Sequence, residues 1–208
     1  MVREQGSKGE QTRARIVDAA YNLFIQQGYA ATSMRAIAEA SGLALGGLYA
    51  HFKGKEEIWQ QVFKARHPYH EILPVFMEAQ GDTFEEVIRD AIVRTVQELG
   101  KRSDLYNLMF IELVEFQGKN IPAVAMTLFP QMPKLGAKLY GARGKLRRVS
   151  PVSMGRALAG VVLIYHMTEQ LMPPQLRKLP PVNSLDEMVD IFLYGVMADD
   201  EPSRRNHA

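Results

Sequence analysis

Between residues 32 and 55 the chain carries several side chains that can donate hydrogen bonds or bear a positive charge. Thr32 and Ser33 are adjacent hydroxyls, Arg35 follows two residues on, Tyr49 and His51 add hydrogen-bonding rings, and Lys55 closes the set. Hydroxyls and free N–H groups at a helix start suit phosphate oxygens, and so do the cations. Inside this set, Ala44, Leu45 and Gly47 carry no hydrogen-bonding side chain. Residues arranged for bond-making chemistry are not found. There is no cysteine, no phosphate loop, no G-x-S-x-G and no metal-spaced His/Glu set. His67 and His70 stand three apart, but Pro68 lies between them and Pro74 follows. Neither a metal nor a cofactor is expected.

The elements that must position these residues are helices. Apolar residues recur at helical spacing and no segment shows sustained strand alternation. A first helix is expected over 11–27, with Ile16, Ala20, Leu23 and Phe24 on one stripe and Gly28 ending it. Thr32 is the expected N-cap of a short helix over 33–40. Ser41-Gly42 marks a turn, a second short helix covers 44–51, and another begins at Lys55 and continues through Trp59 and Phe63. Helices of about eight residues do not persist alone. Met34, Ile37 and Ala38 must therefore pack on Leu48, Phe52 and the first helix. This is helix-turn-helix geometry, in which the second helix enters the major groove. Gly46-Gly47 would cost a surface helix about 1 kcal/mol each against alanine, which suggests close approach of a backbone such as that of DNA.

The rest of the chain reads as longer helices. Pro68 and Pro74 kink or divide whatever follows His67. Thr83 with Glu86 is a capping box opening a helix to 101, and Ser103 opens the next, to 116. Asn120 opens one that is broken or bent by Pro130 and Pro133, Ser150-Pro151 opens another to 172, and Ser184 with Glu187 opens the last, to 198. The expected organisation is all-α. It has a disordered arm at 1–10, a three-helix head at 11–54, a larger helical domain at 55–198 entered by the fourth helix, and a disordered tail at 199–208. The formal charge is only +2, but residues 1–66 hold nine Lys/Arg against six Asp/Glu, a modest basic bias suited to a nucleic-acid surface. No apolar run approaches the roughly 18 residues of a membrane span, and the opening MVREQGSKGEQTRAR lacks the apolar core of a signal peptide. A cytoplasmic protein is expected.

The head carries a specific resemblance. In order and spacing it shows F-x-x-x-G-Y, T-S-x-R-x-I-A, A-S-G-L, G-x-L-Y-x-H-F and K-x-K-E-E over about 50 residues. This resembles the DNA-binding domain of TetR-type transcriptional regulators; beyond residue 70 only the general plan is similar. The resemblance implies that Thr32, Ser33 and Arg35 meet phosphate at the first short helix, with Arg35 also near base edges. It implies that Ala44, Leu45 and Gly47 face bases, that Tyr49 and His51 touch the DNA backbone, and that Lys55 adds a phosphate contact. One departure stands out: the family commonly has a polar pair where this chain has Ala44-Leu45. Apolar side chains can read thymine methyls but cannot hydrogen-bond a base. Either DNA shape contributes more, or Leu45 packs inward.

The resemblance further implies a C-terminal ligand-binding and dimerisation domain, a homodimer on a palindromic operator, and release by a small effector. The last two helices supply the expected dimer interface: Met154, Leu158, Val162, Tyr165, Met188, Phe192 and Val196. Effector contacts are expected from Phe76, Met109, Phe116, Phe129 and Tyr165. Glu112, His166 and Glu169 join them as polar groups on otherwise apolar faces. Two rival classes remain at this point, an enzyme and a DNA-binding or architectural protein without an effector.

Overall fold

A computed structural model describes residues 7–102, 104–142, 147–173, 175 and 185–196. Among them are eleven α-helices and no strand. By contact they form two compact units, one holding α1–α4 with α7 and α8, the other α5, α6 and α9–α11.

The first unit begins with α1 (Lys8–Gln27). Its N-terminus is a capping box: the Ser7 hydroxyl accepts from the Glu10 amide at 3.3 Å, and the Glu10 carboxylate accepts from the Ser7 amide at 2.6 Å. Residues 8–10, expected as part of a disordered arm, are therefore helical. Gly28 ends α1 at φ 86°, its amide donating to the Phe24 carbonyl at 3.0 Å. Of the predicted stripe Ile16, Ala20 and Phe24 are buried and Leu23 is half-buried, while Val17 is buried beside them. It packs against α2 (Met34–Ala40) and α4 (Lys55–Arg66), while α3 (Leu45–Tyr49) packs on α2. Ile37, Leu48, Phe52, Ile58, Trp59, Val62 and Phe63 complete this core. The helices α7 (Leu105–Phe116) and α8 (Ile121–Leu128) join the same unit. Contacts thus divide the chain differently from the sequence boundary at residue 54. The reason is chemical: Trp59 and Glu56 of α4 bond to residues 112 and 119.

In the second unit α5 (Tyr69–Glu78) carries Pro74 inside it and packs on α6 (Phe84–Leu99). Pro68 separates α4 from α5, with His67 extended before it at ψ 134°. The Thr83–Glu86 capping box forms as expected. The Ser103 and Ser184 helix starts lie outside the described residues. Next come α9 (Met132–Gly141), α10 (Pro151–Leu171) and α11 (Leu185–Val196), α10 being capped by Ser150, whose hydroxyl accepts from the Ser153 amide at 3.1 Å.

The expected dimer residues need correcting here. Met154, Leu158 and Val162 of α10 and Phe192 of α11 are buried in the chain's own core, and Tyr165 and Met188 are half-buried. The Val196 side chain lies outside the described set. Because α10 is apolar nearly all round, periodicity alone could not choose a face. The choice is made by α6, which packs on both α10 and α11. What α10 and α11 leave exposed is a different apolar set: Val152, Leu163, Ile164, Leu171, Ile191 and Tyr194.

Candidate nucleic-acid interface

The reading head is built from three short pieces. The N-cap of α2 is Ser33, whose hydroxyl accepts from the Ala36 amide at 3.1 Å. Thr32, the expected cap, is instead 1% exposed. Its hydroxyl donates to the Gly28 carbonyl at 2.8 Å and accepts from the Gln27 amide group at 3.2 Å. It is spent on the turn after α1. The link between α2 and α3 turns at Gly42 (φ 67°), a left-handed conformation that suits glycine, and the Leu43 amide closes it on the Ala38 carbonyl at 2.8 Å.

Of α3, only Leu48 points fully inward. Leu45 is 36% exposed and Tyr49 51% exposed, and Ala44, Gly46 and Ala50 are also exposed. The inward alternative for Leu45 therefore gives way: Leu48 fills that place. A Cβ at Gly46 would meet nothing within 4 Å, and one at Gly47 only the Leu43 Cβ at 4.0 Å. The chain's own packing does not demand glycine at either position. Ser33 and Arg35 are exposed, whereas His51 is half-buried.

Cations divide into two sets. Lys55, expected on phosphate, donates to the carbonyls of Tyr29 (2.7 Å), Thr32 (2.8 Å) and Ala30 (3.4 Å) and lies 4.2 Å from the Tyr29 ring centroid. Burial lowers its pKa, with Glu115 acting in the opposite sense. Its charge serves the loop that leads into α2. Arg13 donates to the His51 carbonyl and stacks on Phe52, its Cζ 4.0 Å from the ring centroid. Arg66 pairs with Asp18 at 2.6 Å. Arg35 and Lys53 are exposed instead. Lys53 was not among the expected contacts, although it opens the K-x-K-E-E motif and follows α3 directly.

The residues expected around an effector separate. In the first unit Glu112 is fully buried, accepting from Trp59 Nε1 (2.8 Å), the Asn120 amide (2.7 Å) and Asn120 Nδ2 (2.9 Å). Phe116 stacks on Trp59 with ring centroids 5.5 Å apart. Glu112 is committed within the core, and Phe116 is half-buried against the Trp59 ring. Met109 is half-buried and Phe129 exposed. In the second unit Phe76, Tyr165 and Glu169 are half-buried and His166 is buried. Burial raises the Tyr165 pKa, with Glu169 and Asp186 adding to it, and burial lowers that of His166. An open groove of about 450 Å³ is lined by Lys53, Gly54, Glu56, Glu57 and Gln60, none of them an expected effector contact. Among the described residues no helix is long and apolar enough to cross a membrane, and no His/Asp/Glu cluster is arranged to hold a metal.

An all-helical chain whose short second helix presents an exposed face from a buried scaffold is a helix-turn-helix protein. Residues 16–62 match the model of the bacterial regulatory proteins of the tetR family. The chain is 30% identical over 112 residues to the HTH-type transcriptional regulator TtgR of Pseudomonas putida, covering 48% of this chain and 53% of that protein. A second relative, the uncharacterized HTH-type transcriptional regulator YvkB of Bacillus subtilis, is 22% identical over 90% of this chain and 98% of its own. Among solved structures, NalD, the secondary repressor of the MexAB-OprM multidrug efflux pump in Pseudomonas aeruginosa, superposes with a TM-score of 0.58. It is 23% identical, over 92% of this chain and all of that one. The chain spans about half the length of curated relatives that it matches. Over residues 16–62 the chain is thus similar to the bacterial regulatory proteins of the tetR family.

Proposed function

We propose that this chain is a cytoplasmic transcription regulator that binds double-stranded DNA as a homodimer on a palindromic operator, and acts as a repressor. The observation that carries the reading is the exposure of Ser33, Arg35, Ala44, Leu45 and Tyr49 on α2 and α3, above inner residues Ile37, Ala38 and Leu48 that are buried. A head of this kind reads one half-site, and two-fold symmetry supplies the second. The exposed apolar residues of α10 and α11 support a partner copy there. Selection of bound duplexes from a random pool tests the reading. The expected product is a palindrome with half-sites one or more helical turns apart. Recovery of no sequence, or of an unpaired half-site, would count against it.

Release by a small, largely apolar effector belongs to the same proposal, with Phe76, Tyr165, His166 and Glu169 of the second unit as the remaining contacts. A second reading, a DNA-binding protein without an effector, is favoured by one observation. Glu112 already has its partners inside the core, and Phe116 is stacked on Trp59. Challenging the operator complex with a panel of apolar small molecules separates the two.

A further inference from the structure

The carboxylate of Glu112 has an unusual set of partners. It is fully buried, and all three groups that bond it are neutral N–H donors: Trp59 Nε1 and Asn120 Nδ2 on Oε2, the Asn120 amide on Oε1. Burying a charge without a counter-ion is costly, and an apolar residue of similar size would serve packing better. What the carboxylate adds is direction. It fixes the start of α8 and the end of α7 to one edge of one indole in α4.

Beyond that indole a continuous set of contacts leads to the reading face. Phe116 lies parallel to Trp59, 2° between planes, and meets Tyr29 at 4.8 Å. Tyr29 lies 6.0 Å from Trp59, and both its ring and its carbonyl hold the Lys55 ammonium. Lys55 in turn holds the carbonyl of Thr32, the residue before the Ser33 cap of α2. Lys119, beside Asn120, pairs with Glu56 at 2.5 Å and closes the same turn onto α4 from a second side. The core of α1–α4 already closes on itself through Ile16, Phe24, Ile37, Leu48 and Val62. The carboxylate is thus not needed to form the head.

We propose that Glu112 is a positioning residue for DNA reading: through Trp59 and Asn120 it sets the place of the Phe116–Tyr29 pair and the lysine-held loop at 29–32, and so the orientation of the α2 cap. This rests on the DNA-binding function proposed above. It also places Glu112 with the head rather than with an effector.

The test is Glu112→Gln, with Asn120→Ala as a gentler second variant, each in the full chain. Glutamine has one acceptor oxygen, so its amide would face a donor that the carboxylate accepts. Two measurements are made: hydrogen exchange by segment, and affinity for the selected duplex. Both variants are expected to speed amide exchange in 29–36 by about tenfold, leaving α6 exchange unchanged, and to weaken duplex binding by a similar factor. Their effects should be less than additive in the double variant, since they share one site. Exchange at 29–36 that matches the unsubstituted chain, or that rises equally in every helix, overturns the positioning role whatever the DNA result. If the unsubstituted chain binds no duplex, the functional reading fails instead, and the exchange data still decide whether Glu112 sets this loop.

Discussion

Lys55 Nζ lies 2.8 Å from the Thr32 carbonyl, across a gap of twenty-three residues. A cation in the position that the family resemblance assigns to phosphate is turned inward and donates to three carbonyls of one loop. Replacing it with methionine keeps the stem and removes the donors. Lys55→Met is expected to lower Tm by about 5 °C, from the loss of about 2 kcal/mol of charge-assisted bonds. The salt dependence of DNA binding should keep its slope. A slope reduced by about one would place the ammonium on phosphate after all.

Lys53 is the converse case. It is exposed and directly follows α3. Lys53→Met is expected to leave Tm unchanged while reducing the slope of log affinity against log salt by about one. Titrations of the two lysine variants at matched salt series check both statements together.

Arg13 does for the end of α3 what Lys55 does for the start of α2. A five-residue helix has little stability of its own, and Arg13 reaches from α1 to the His51 carbonyl and the face of Phe52. Arg13→Gln should weaken duplex binding about tenfold through a mispositioned Tyr49, with a loss of stability of about 1 kcal/mol. Equal binding by variant and parent chain would remove Arg13 from this role.

These three cations show where sequence reading stops. The helices were legible because their signals are local: Gly28 and Gly42 at positive φ, the Thr83–Glu86 box, and Ser150 before Pro151. The Ser7–Glu10 box has the same local form and opens α1 at residue 8. The destination of a long side chain is another matter. Nothing in the motif says that Lys55 bends back over Tyr29, or that the Thr32 hydroxyl faces Gln27 and Gly28. Glu112 was legible as an anomaly, a carboxylate in an apolar helix, but its donors lie eight and fifty-three residues away. On α10 the apolar character itself hid the answer, since every face qualified.

The exposed faces of α10 and α11 give a direct test of the assembly. Leu163 and Ile191 are 39% and 74% exposed, so a charge at either is tolerated by the folded chain. Leu163→Glu with Ile191→Glu is expected to give a well-folded monomer by sedimentation, with duplex affinity falling by more than tenfold. Leu158→Ala, at a buried position of the same helix, should instead lose about 2–5 kcal/mol of stability. A doubly charged variant that still sediments as a dimer would move the interface elsewhere.

His166 predicts a pH dependence in the second unit. It is buried, and burial pushes its pKa below the ordinary 6.5. In the unfolded chain the imidazole takes up a proton as the pH falls through 6.5, while in the folded chain it stays neutral to lower pH. Over that window the unfolded state binds more protons, so stability falls as the pH is lowered. Below the folded pKa both states are protonated and the loss levels off. Urea unfolding at pH 7.5 and at successive values down to 5 should show this decline in the parent chain. His166→Gln removes the titrating group but not the carboxylates, so the difference between the two chains isolates the histidine. That difference should narrow as the pH falls. Parallel curves across the window would mean that His166 titrates alike in the folded and unfolded chain, and that its burial does not control its protonation.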